Sequence, residues 1–109
     1  MTSETSERFG LKESTINRIN SVFVKYSGID RVLLYGSRAK GNYYHGSDID
    51  LTIEGTLSRP EILKLENELD DLLLPYTIDL SLFHQISNPD LVEHIKRVGK
   101  VFYEKADGQ

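Results

Sequence analysis

Apolar residues recur mostly three or four positions apart at Leu11, Ile16, Ile19, Val22, Phe23 and Tyr26, which is the stripe of an amphipathic helix. Gly28 follows where a left-handed turn would end that helix. Arg31–Tyr35 (RVLLY) is a short apolar run between turn signals and reads as a buried strand. From Asp48 to Glu54 the period changes to two. Ile49, Leu51 and Ile53 fall on one face of an extended segment, and Asp48, Asp50 and Thr52 on the other. Ser58 and Glu61 make a capping box ahead of a helix carrying Ile62, Leu65, Leu69, Leu72 and Leu73, with Pro75 to stop it. Thr77–Phe83 alternates again, with Ile78, Leu80 and Leu82 opposite Asp79 and Ser81. Asn88 and Pro89 suit the N-cap and first turn of a last helix through Val98, Gly99 ends it, and KVFYE reads as an edge strand. With a short helix in the turn GSRAKG, the order is helix, strand, short helix, strand, helix, strand, helix, strand. No internal repeat is visible. The expectation is a two-layer α/β (α+β) fold, a mixed sheet with helices packed on one face. A single domain should cover residues 11–105, after a flexible, polar N-terminus at residues 1–10.

Composition narrows the class. A chain of 109 residues buries roughly 65% of its unfolded surface, enough for one domain. Thirteen basic against seventeen acidic residues give a net charge of −4 without a block of like charges. That balance argues against gripping a nucleic-acid backbone by bulk electrostatics. The absence of cysteine excludes disulfides and thiolate metal sites. No apolar run approaches the ~18 residues of a membrane helix and the polar N-terminus is no signal peptide, so a cytoplasmic domain is expected.

Candidate chemistry is concentrated in LYGSRAKGNYYHGSDIDL, Leu34–Leu51. Asp48 and Asp50, at i and i+2 of a strand, direct both carboxylates from one face about 6–7 Å apart. Asp79 has the same phase on another strand, and the three converge if those strands are neighbours. Three such charges repel unless a cation compensates, and hard divalent ions favour oxygen ligands. Ahead of them, Gly36 allows close backbone approach, and Ser37 offers a hydroxyl and an N–H at a helix start, where phosphate oxygens bind. Arg38 and Lys40 add positive charge, though at i and i+2 of a helix they face different ways. Ser47 either caps the strand entry or touches a phosphate oxygen. A strand DxD alone is usually a solvated polar face, and the spacing does not suit an EF-hand. Tyr43 and Tyr44 read as cover for the core edge and His45 as an exposed loop residue. Ser81 is either a surface hydroxyl or a neighbour supporting Asp79. His84 and His94 are given no role.

GSRAKG, five residues, then SDIDL, followed by IDLSLF and the ending HIKRVGKVFYE, resembles the nucleotidyltransferase superfamily of DNA polymerase β. Within it, the length and spacing resemble the minimal nucleotidyltransferases (MNT), usually encoded beside a HEPN-domain partner. The resemblance runs from about Leu11 to Tyr103. It implies that Gly36 and Ser37 bind the nucleotide's β- and γ-phosphates, and that Asp48 and Asp50 hold two Mg²⁺ or Mn²⁺ ions. It also implies that Asp79 helps hold the catalytic metal and activates the acceptor hydroxyl. Lys40 stands where many members carry arginine, which keeps the charge and loses the fork.

The implied reaction moves AMP from ATP to a hydroxyl, releasing pyrophosphate. The implied role is an antitoxin that adenylylates a tyrosine of a HEPN toxin, in a homo- or hetero-oligomer. Two alternatives stand beside it: a nucleotide-binding or partner-masking subunit without transfer, and an adenylyltransferase acting on a small molecule or RNA.

Overall fold

The computed structural model describes residues 7–106. Its elements are β1 (Glu7–Arg8), β2 (Leu11–Lys12), α1 (Glu13–Phe23), β3 (Ile29–Tyr35), α2 (Ser37–Lys40), β4 (Ile49–Gly55), α3 (Arg59–Asp70), β5 (Ile78–Leu82), α4 (Pro89–Val98) and β6 (Lys100–Glu104). Strands β5, β4, β3 and β6 form one sheet in that order, with β4–β5 parallel and the other pairs antiparallel. β1 and β2 form a separate two-stranded hairpin.

Alternation does what it predicted. Val32 and Leu34, Ile49, Leu51 and Ile53, and Leu82 enter a single core with Ile16, Ile19, Val22 and Phe23 of α1 and Leu65 and Leu69 of α3. The other face of the sheet carries Tyr35, Asp50, Thr52, Asp79 and Ser81. Register confirms their alignment: Asp50 lies opposite Asp79 and Thr52 opposite Ser81, whose hydroxyl donates to Thr52 at 3.0 Å. α1 and α3 form the expected helical layer. α4 packs against β3, and its buried Ile95 stands outside the main cluster.

Three boundaries differ from the sequence reading. Leu11 is fully buried in β2, and α1 begins only at Glu13 and ends at Phe23. Gly28 therefore caps no helix: a Cβ there would stand 2.1 Å from the Thr56 carbonyl oxygen, so glycine is needed for close approach. α3 ends at Asp70, well before Pro75, and Leu73, at φ 56°, is exposed rather than part of the stripe. Of the N-terminal stretch expected to be flexible, residues 7–10 belong to the hairpin, and residues 1–6 lie outside the described residues. Among the described residues, no helix is long and apolar enough to cross a membrane.

Candidate active site

The end of β3 delivers the chain into a sharp turn at Gly36, with φ 77° and ψ −156°, and α2 starts at the next residue. This backbone conformation favours glycine, and space demands it as well. A Cβ on Gly36 would meet the Asp50 Oδ2 atom at 2.3 Å. The turn and the acidic strand are thus pressed together at one point. Ser37 begins α2, its carbonyl accepts the Gly41 and Asn42 N–H groups at 2.9 and 3.2 Å, and Lys40 is exposed at the helix end.

Asp50 is half-buried between that turn and Asp79 on the adjacent strand. Burial pushes its carboxyl above the ordinary range, and the charges of Asp79 and then Asp48 push it further, against an opposing contribution from His94. Asp48 precedes the first residue of β4 and is exposed, as is Asp79. Among the described residues no three acidic or imidazole groups are drawn together at metal-ligating distances. The three carboxylates share one face without forming a closed ligand set. Their oxygen-only chemistry, and the repulsion that Asp50 registers, fit a divalent cation.

Two site neighbours carry no obvious sequence label. Tyr35 pairs with Asp50 across β3 and β4. Burial raises its phenol pKa, a hydrogen bond with Ser81 opposes the rise, and the Asp79 and Asp50 charges add to it. His94 of α4 accepts the Gly36 N–H at Nε2, 3.2 Å away, and meets the Tyr35 ring edge-on with centroids 6.3 Å apart. A lone histidine between Leu91 and Val98, on the apolar side of a helix, was the available signal for it.

Arg38 and Ser47, both expected near phosphate, are engaged elsewhere. The Arg38 side chain is buried and donates to the carbonyls of Phe9, His45 and Ser47, so its fork is not turned to the carboxylates. The Ser47 hydroxyl accepts the Tyr44 N–H at 2.8 Å and shapes its own loop. Tyr43 covers Arg38, whereas Tyr44 is 83% exposed.

Comparison with known proteins gives a consistent picture. The family model described as "Polymerase beta, Nucleotidyltransferase" matches residues 17–108. A protein of Methanocaldococcus jannaschii, MJ0604, named as a candidate protein adenylyltransferase, is 30% identical over 93 residues, spanning 78% of this chain and 90% of that protein. A toxin–antitoxin structure with AMP-PNP matches with a TM-score of 0.65 at 22% identity, over 83% of this chain and 73% of the other. A Shewanella oneidensis complex of a tri-AMPylated HEPN toxin with an MNT antitoxin matches with a TM-score of 0.62 at 19% identity, over 85% and 72%. A candidate nucleotidyltransferase from Sulfolobus solfataricus gives 0.52 at 17% identity, over 94% of both chains. At these identities the solved structures establish likeness of fold.

Proposed function

The chain belongs to the polymerase beta nucleotidyltransferase family and is a nucleotidyltransferase; from that premise we propose that it transfers AMP from ATP to a protein hydroxyl, a tyrosine of a HEPN partner, as the antitoxin of a toxin–antitoxin pair in the cytoplasm. The observation that carries this reading is the pairing of Asp50 with Asp79 on neighbouring parallel strands, directly against the Gly36 turn. In the proposal, residues 11–105 act as one catalytic domain. Gly36 and Ser37 present backbone N–H groups and a hydroxyl to the terminal phosphates, and Lys40 adds charge at the other end of the short helix. Asp48, Asp50 and Asp79 would hold two Mg²⁺ or Mn²⁺ ions, which would supply Lewis-acid polarisation of the α-phosphate and charge neutralisation of the pyrophosphate.

Asp79 is exposed and can meet an incoming hydroxyl. The hydroxyl oxygen bonds to the α-phosphorus, the bond from that phosphorus to the bridging oxygen breaks, and pyrophosphate leaves with the electron pair. The hydroxyl proton passes to Asp79. Asp50, wedged against Gly36, is a ligand in this scheme and not the base. Support for the acceptor comes from the relative named for protein adenylylation and from fold relatives described as an AMPylated HEPN toxin with its MNT antitoxin.

The test uses ATP labelled at the α- or the γ-phosphorus, Mg²⁺ and the HEPN partner proposed here. The expected result is α-label on the HEPN tyrosine and none from the γ-position. Transfer of γ-label would contradict nucleotidyl transfer. Silencing of the partner without either label would mean masking by binding alone.

A further inference from the structure

Arg38 is the one charged side chain among the described residues to be buried, at 2% exposure. Its Nη1 donates to the Phe9 carbonyl at 2.9 Å, its Nη2 to the carbonyls of His45 at 3.1 Å and Ser47 at 2.9 Å, and its Nε to Ser47 at 3.1 Å. The rings of Tyr43 and Tyr76 have their centroids 5.2 and 5.0 Å from the guanidinium carbon. No carboxylate pairs with it among the described residues. A buried charge is tolerated only when its surroundings compensate it, and here carbonyl dipoles and two aromatic faces do so.

The position of those partners gives the arrangement its meaning. Arg38 immediately follows Ser37, and two of its three carbonyls belong to the segment that ends at Asp48. The connection between turn and acidic strand, residues 41–48, is otherwise irregular and largely exposed. We propose that Arg38 is a positioning residue: its fork ties the Gly36–Ser37 turn to the His45–Ser47 backbone and fixes where Asp48 stands relative to the turn. This rests on the reading of Asp48 as a metal ligand and of the turn as the phosphate site. The Phe9 carbonyl brings the β1–β2 hairpin into the same clamp. Lysine cannot replace it, because a single ammonium lacks the planar fork that spans three carbonyls.

Arg38→Lys and Arg38→Ala test the proposal through thermal midpoint, ATP KM, kcat and amide exchange along the chain. Misplacement of a reacting group by about 1 Å costs roughly 100-fold in rate. In Arg38→Lys we therefore expect kcat to fall about that far with a much smaller change in KM. Amides of residues 43–48 should exchange faster while those of β3 and β4 stay protected. Low-millimolar guanidinium should restore most of kcat in Arg38→Ala and leave the wild type unchanged. Wild-type kcat and loop exchange in Arg38→Lys would overturn the proposal, as would a loss of activity that only tracks the unfolded fraction. If Arg38→Ala does not fold, Arg38→Lys decides alone. If the wild type transfers nothing, nucleotidyl transfer is what fails, and loop exchange alone decides the clamp.

Discussion

Gly36 and Asp50 form the tightest residue-scale constraint at the site. The positive φ of Gly36 turns the chain out of β3, and its missing side chain leaves room for the Asp50 carboxylate. The resulting enclosure has a thermodynamic signature. The folded-state pKa of Asp50 lies above its ordinary 3.8, so its stabilising contribution is complete below that value and is lost as pH rises through the raised one. At neutral pH the ionised carboxylate therefore opposes folding. Asp50→Asn should raise the metal-free thermal midpoint at pH 7 by on the order of a few °C. The advantage should fade on acidification toward the ordinary carboxylate range, and Mg²⁺ should stabilise the wild type more than the variant. A calorimetric pH series reads all three; a lower midpoint for the variant at pH 7 would contradict the assigned sign. The shared face of Asp48, Asp50 and Asp79 is legible in the sequence because a period of two shows which side a strand residue occupies. Tyr35 and His94 are not, because their proximity to Asp50 depends on a strand pairing and a helix docking set by distant residues. The carbonyl partners of Arg38 are illegible for a related reason: they come from Phe9 and the His45–Ser47 loop, and carbonyls leave no mark in a sequence.

At the scale of elements, local signals located the helices better than their ends. The capping box of α3 forms as expected: the Ser58 hydroxyl accepts the Glu61 N–H at 3.3 Å, and the Glu61 carboxylate accepts the Ser58 N–H at 2.8 Å. Asn88 caps α4 in the same manner, accepting the Asp90 N–H at 2.9 Å. Ser58→Ala should lower stability by about 1 kcal/mol, a fall in thermal midpoint of roughly 4–8 °C. It should leave transfer activity below the melting range unchanged, because α3 lies on the face of the sheet opposite the aspartates. Thermal melts with activity measured on the same samples check both. The N-terminal hairpin escaped notice because its strands have two residues each, too few to show a period, and its turn places Phe9 at φ 61°. Leu11 looked like the start of the α1 stripe because a single buried leucine fits either period.

The whole molecule is divided by its sheet into a closed face and an open one. α1 and α3 seal the apolar side, while α4 packs against β3 with His94 at Tyr35 and Gly36, and Asp48 and Asp79 stay exposed. From α1 to β6 the longer elements can be read from hydrophobic period and α2 from its glycine-bounded turn; the docking of α4 cannot, because its stripe does not say what it meets. That placement sets His94 against Gly36 and completes the border of the site. In the proposed function the Gly36 turn and the three aspartates form one metal–nucleotide site. Paramagnetic broadening of backbone amides by Mn²⁺ in the presence of AMP-PNP tests it most directly. Broadening should centre on Asp48, Asp50 and Asp79, extend to Gly36 and His94 and disappear in Asp48→Asn/Asp50→Asn. Broadening that survives in that variant, or that centres on the acidic residues Glu66 and Asp70 of α3, would contradict it.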